Sequence, residues 1–142
     1  MMTSLSDDDI ERIAHGVINR TLPKAEWTHA AHFAAALWIS TQHGDEASRA
    51  MPGLIRAYNE ATGTPNTNTS GYHETITLAS LRVADAVLRE YAEAPLSDAL
   101  AALMVREFGA SGWLLAYWRR DTLFSAEARR VWVEPDLQQL PY

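Results

Sequence analysis

Three histidines offer the chemistry worth following in this chain. Residues 26–32 read EWTHAAH and residues 71–75 read GYHET, so Glu26, His29 and His32 fall in one short stretch and His73 in another. On a helix, at about 100° per residue, His29 and His32 lie about 60° apart, on a face shared with Phe33, Ala36 and Ser40. Glu26 stands three positions before His29, at the same angular offset, and so brings a carboxylate beside the two imidazoles. His73 begins a stripe with Ile76, Thr77, Ser80, Ala84, Val87 and Tyr91 that is polar in its first two turns and apolar beyond. His73, Thr77 and Ser80 then form a polar wall at one end of the core, and Glu74 points away from it.

If the two segments meet, His29, His32 and His73 are candidate metal ligands, with Glu26 or water completing the shell. Nitrogen and oxygen donors of this kind suit zinc, iron, manganese or nickel, and three protein ligands with an open position are the catalytic pattern. Such an ion lowers the pKa of its bound water and delivers hydroxide at neutral pH, which points to hydrolysis of a small molecule. A metal-free version makes His73 the general acid or base, oriented by Glu26 or Glu74, with Tyr72 and Thr75 binding substrate. A third version has no chemistry in it. Because a buried polar group without a partner costs about 1–3 kcal/mol, His29 and His32 bond to backbone carbonyls or Glu26, and His73 caps its helix and meets Tyr58 or Asn59.

The loop Thr64–Gly71 stacks Asn66, Thr67, Asn68, Thr69 and Ser70 ahead of a helix. Free N–H groups there, with short side chains around them, are a place for a carboxylate or phosphate, or they are turn and capping chemistry alone. The candidate ligand-binding set is therefore Tyr72, Thr75, Thr77, Asn66 and Asn68.

Composition limits the alternatives. A chain of 142 residues fits one domain, spanning 1–142, with one core and one site. The formal charge of −6, from 12 basic and 18 acidic side chains, argues against nucleic acid or anionic membrane as a partner. With no cysteine, a metal must be held by nitrogen and oxygen. MMTSLSDDDIER carries neither a basic leader nor an apolar segment, and AAHFAAALWI is too short for a membrane span, so the expected location is the cytoplasm. Arg119, Arg120, Arg129 and Arg130 are interleaved with Tyr117, Trp118 and Trp132, which fits base stacking but better fits a salt-bridged face with Asp121, Glu127 and Glu134. Trp113, Leu114, Leu115, Tyr117 and Trp118 are more apolar than a short surface helix needs, which predicts burial or a homodimer contact.

The elements that must position these residues are helical. Ser6 caps a first helix through Ile10, Ile13, Ala14, Val17 and Ile18, ending near Thr21. A second, apolar almost all round and hence central, runs from Lys24 or Thr28 to His43 and stops at Gly44. Asp45 caps a third that ends at Gly63 and is threatened by Pro52 and Gly53. A fourth starts near His73 and reaches Tyr91 or Ala94, and a fifth runs from a Ser97 cap to Phe108. WLLAYW reads as a short helix, Ser125 caps AEARRVW, VWVEP is a weak strand candidate, and EPDLQQLPY closes the chain as an extended tail. The fold class is all-α, an irregular helical bundle of four principal helices plus short C-terminal helices.

As a set, EWTHAAH, RAYNEATGTPNTNTSGYHETIT and YWRRDTLFSAEARRVWVEPDLQQLPY resemble a family of small bacterial proteins of unknown function with WTHxxH, GYHET and WVEPDL blocks. The resemblance runs from Leu22 onward. It implies a single-domain bacterial protein and brings no activity with it. Helical bundles that bind a metal through three histidines are an analogy of ligand type alone, and no ligand is carried over from them.

Overall fold

The computed structural model describes residues 4–142. Helix α1 (Asp7–Ile18) opens with a reciprocal capping box: Asp9 N–H donates to Ser6 Oγ at 3.1 Å, and Ser6 N–H donates to Asp9 Oδ2 at 3.0 Å. Its inward stripe is Ile10, Ile13, Ala14 and Val17. The helix stops short of Thr21 because Arg20 takes a left-handed φ of 61°, which an α-helix of L-residues does not continue through.

Helix α2 (His29–His43) is the central element and packs against α1, α3 (Ala47–Ala61), α4 (Glu74–Glu90) and α5 (Leu96–Met104). Phe33, Leu37 and Ile39 are buried along it with Ala31, Ala34, Ala35 and Ala36. The alanines let neighbouring helices approach closely on several sides, which is how an all-round apolar helix becomes a core helix. Thr28 is the N-cap, accepting from Ala31 N–H at 3.2 Å, and Lys24–Glu26 form a separate 3-10 turn. Glu26 is therefore outside the helix on which its angular relation to His29 was reckoned.

Helix α3 is continuous through Pro52. The carbonyl that proline deprives of a partner belongs to Ser48, an exposed residue. Asp45 does not cap α3; it lies within the 3-10 turn Gly44–Glu46. Helix α5 begins after Pro95, not at a Ser97 cap, and Ser97 instead donates its backbone N–H to Asp7 Oδ1 at 2.7 Å, tying α5 to the start of α1. It ends at Met104, so Phe108 sits in the 3-10 turn Glu107–Gly109.

The remaining chain forms a 3-10 turn (Trp113–Ala116), α6 (Arg120–Leu123) and α7 (Ala126–Arg130), the last capped by Ser125 Oγ on Ala128 N–H at 3.1 Å. VWVEP forms no strand. Its backbone is pinned by side chains: Thr75 Oγ1 donates to Val131 O at 2.9 Å and accepts from Val133 N–H at 3.1 Å, and Trp118 Nε1–H donates to Val133 O at 2.9 Å. Trp113, Leu114, Tyr117 and Trp118 are all buried within the chain, whereas Phe124, Val131 and Leu137 are exposed. The architecture is an all-α bundle of four principal helices with short C-terminal ones, and among the described residues no helix is long and apolar enough to cross a membrane.

Candidate functional site

His73 lies at the N-terminus of α4 and is 6% exposed. Its Nδ1 accepts from Ile76 N–H at 3.1 Å, and its Nε2–H donates to Leu123 O at 2.6 Å. Both ring nitrogens are thus committed to backbone, which fixes the neutral Nε2–H tautomer. Neither nitrogen has a lone pair left for a metal or a substrate proton, so His73 is not the ligand or the general base that its stripe suggested. It caps its helix, with Leu123 in the role expected of Tyr58 or Asn59. Burial lowers the pKa of the imidazole, and the nearby Arg129 charge lowers it further.

His29 and His32 do lie close together, but each is anchored separately. His29 Nε2–H donates to Phe108 O at 2.6 Å, which leaves Nδ1 bare. His32 Nδ1–H donates to Thr28 O at 2.7 Å, which leaves Nε2 bare. Trp27 stacks on the His32 ring at a centroid distance of 3.7 Å and holds its orientation. Glu26 is exposed and accepts from Arg12 Nη1 at 2.7 Å, so it neither joins a metal shell nor orients an imidazole. Among the described residues, no group of three or more His, Cys, Asp or Glu side chains is placed to hold a metal ion. The three-histidine zinc, iron, manganese or nickel centre does not assemble.

Two of the five candidate ligand-binding residues are occupied by architecture. Asn66 accepts from Asn59 Nδ2 at 3.1 Å and Tyr72 N–H at 2.9 Å and donates to Arg56 O at 3.1 Å, so it staples its loop. Thr75 is fully buried and spends its hydroxyl on the tail. Asn68 is exposed beside Arg56 and Arg130 in a shallow surface depression. Tyr72 is buried, donates from its hydroxyl to Glu74 Oε1 at 2.5 Å and carries the Arg56 guanidinium 4.4 Å above its ring. The loop closes on Gly71, whose φ of 80° and close backbone contacts demand glycine: a Cβ would stand 2.5 Å from Pro65 O and 2.6 Å from Asn66 Oδ1. We expect Gly71→Ala to lower stability by about 1–3 kcal/mol in urea denaturation, through strain and overpacking together.

The histidines and Thr77 line instead two abutting pockets, a crevice of two chambers that share part of their walls. One, of about 300 Å³, lies between α2, α3, α4 and the Trp113–Ala116 turn. Phe33, Met51, Ile55, Ile76, Trp113 and Leu114 make its walls, and His29, His32, Thr77, Ser80 and Ser111 supply its polar groups. The other, of about 330 Å³, abuts the first along His32, Ile55, Ile76 and Thr77, which line both, and is lined further by Lys24, Asn59, Tyr72, His73 and Arg129. His32 thus stands at the junction with surface open to the crevice. The protein surrounding that opening disfavours the imidazolium and, with the fields of His29 and Lys24, pushes the pKa down to about 4.

Lys24, Ile55, Trp113 and Arg129 escaped the sequence reading. Ile76 and Ser80 had been placed on the right stripe of α4, but nothing in the local spacing joins a lysine before α2 to an arginine in α7. No family model, no curated protein and no solved structure matches this chain.

Proposed function

We propose that the protein binds a small, largely apolar molecule in the crevice, with His32 Nε2 accepting a hydrogen bond from it. One observation carries this reading: an apolar chamber of about 300 Å³ converges on an imidazole whose other nitrogen is already tied to Thr28 O. Concave apolar sites with a few fixed polar groups are the usual form of small-molecule sites. Binding accounts for the geometry better than acid–base catalysis or hydrolysis. A general base works best with a carboxylate to orient it and a pKa near the operating pH, whereas Thr28 O orients His32 and its surroundings lower its pKa from the ordinary histidine value. A neutral imidazole of fixed tautomer is a good acceptor over the whole physiological range.

The test uses the neutral fluorophore N-phenyl-naphthylamine, an apolar body with one N–H donor. Its emission is expected to rise on binding to the wild-type protein. Ser80→Phe, which fills the chamber from α4, weakens binding at least about tenfold, and His32→Ala weakens it by a smaller factor of about five, as loss of one hydrogen bond implies. Equal binding to the wild type and to a folded Ser80→Phe variant would place the fluorophore elsewhere and overturn the reading.

A further inference from the structure

We infer that the molecule held in the crevice is an amphiphilic monoanion, its apolar body in the chamber beside Phe33 and Trp113 and its anionic head in the second chamber between Lys24 and Arg129. This rests on the binding role proposed above and adds the charge of the ligand. The two chambers differ in character. The first is walled mainly by apolar side chains, whereas the second brings an ammonium and a guanidinium to one space.

Neither cation has a carboxylate partner within 4.0 Å among the described residues. Lys24 Nζ reaches only the neutral Asn59 Oδ1, at 3.4 Å. Arg129 Nη1 donates to the carbonyls of Gly71 and Tyr72 at 3.1 and 3.4 Å, and its Nε–H is buried with no partner. Glu26, two positions from Lys24, accepts from Arg12, and Glu74 accepts from the Tyr72 hydroxyl; Glu127, two positions from Arg129, is exposed and makes no ion pair with it within 4.0 Å. Arg56 and Arg130 line the adjoining depression with Arg129 and likewise lack a carboxylate within that distance. A chain of net charge −6 therefore places two of its 12 basic side chains on the second chamber and two more on the depression beside it, none with a carboxylate partner within 4.0 Å among the described residues. Unneutralised cations gathered at a crevice with low-dielectric walls focus a positive field into it, which favours an anionic ligand. A guanidinium steadied on carbonyls also has its remaining donors ordered in advance, so less entropy is lost on pairing with an oxyanion.

The order of the chambers sets the ligand's shape. His32 and Thr77 stand at the junction, so the anionic group lies to the Arg129 side of them and the hydrocarbon to the Trp113 side. A fully hydrophilic anion leaves the apolar chamber unfilled, and an uncharged hydrocarbon leaves the two cations unpaired.

Isothermal calorimetry with octanoate, octanol and octylamine, on the wild type and on Lys24→Gln and Arg129→Gln, tests this directly. Octanoate is expected to bind at least about tenfold more tightly than octanol, with an affinity that falls as sodium chloride is raised, and octylamine more weakly still. Each substitution narrows the gap between octanoate and octanol while leaving octanol unchanged. Lys24 is exposed, so its variant keeps the fold; Arg129→Gln also loses the bonds to the Gly71 and Tyr72 carbonyls, so its urea unfolding is compared with the wild type before its binding is read. Equal affinity for octanoate and octanol, or octanoate binding indifferent to both substitutions, overturns the anionic assignment and leaves the apolar site standing. Absence of octanoate binding overturns it as well, and fluorophore binding then shows whether the crevice reading has failed with it.

Discussion

Replacing His73 with alanine lowers stability by about 3–5 kcal/mol, read as a shift of the urea unfolding transition. Three losses add up to that range. The α4 cap disappears, worth about 1 kcal/mol at an ordinary N-terminus. The Leu123 carbonyl loses its partner in a buried place, at about 1–3 kcal/mol for a group left unsatisfied. The vacated ring volume adds a cavity under Phe124, whose ring packs edge-on against His73 at a centroid distance of 6.4 Å. His73→Asn separates these contributions. Asparagine is among the best N-caps, so it restores the bond to the start of α4, but it is too short to reach Leu123, and it should recover about 1 kcal/mol of the loss. An alanine variant within about 1 kcal/mol of the wild type would mean that the imidazole does not hold α4 to the α6 segment, and a role in binding would have to be reconsidered for it.

That His73 is structural was among the outcomes open from sequence, and the reason it could not be selected there is physical. Helical spacing gives the direction of a side chain from its own axis; it says nothing of what the chain brings up from fifty positions away. Leu123 O is such a group, and so are Phe108 O for His29 and Val131 O for Thr75. Features whose cause is local were legible: the Ser6 and Ser125 caps, the central α2 signalled by its apolar circumference, and the turn at Gly71. Glu26 was misplaced because Thr28 outcompeted it for the start of α2, so the wheel began two residues after the position that mattered. Asn66 was undecided for a different reason. A short amide in a turn bonds an anion or its own loop equally well by composition, and only the positions of Arg56 O, Asn59 and Tyr72 decide between them. Thr77, the one candidate ligand residue that lines both chambers, followed from the α4 stripe alone.

Acidification should weaken the fold well before the carboxylates titrate. In the native state the imidazolium forms of His32 and His73 are both disfavoured, for buried His73 by burial and then Arg129, and for His32, an exposed residue, by the hydration its ring loses against the protein around it and then by His29 and Lys24. The Thr28 and Leu123 carbonyls pull the other way without cancelling it. An unfolded histidine takes up its proton near pH 6.5, so below that pH the unfolded chain binds protons that the native one refuses. The stability contributed by the two neutral imidazoles is complete above about pH 6.5 and is lost as pH falls, for His32 down to its native value of about 4. The two sites reach this differently. Protonating His73 requires a proton on Nδ1, which already accepts from Ile76 N–H, and so removes the cap; protonating His32 breaks no bond, because Nε2 is bare. Urea midpoints measured from about pH 8 to about pH 5 should therefore fall for the wild type, fall less for His32→Gln, and fall least for His32→Gln combined with His73→Asn. Midpoints that stay level across that window would show that both imidazoles accept a proton in the folded protein. The geometry of the crevice junction would then have to accommodate a charged His32, and a bound hydrogen-bond donor would no longer be the group that it selects.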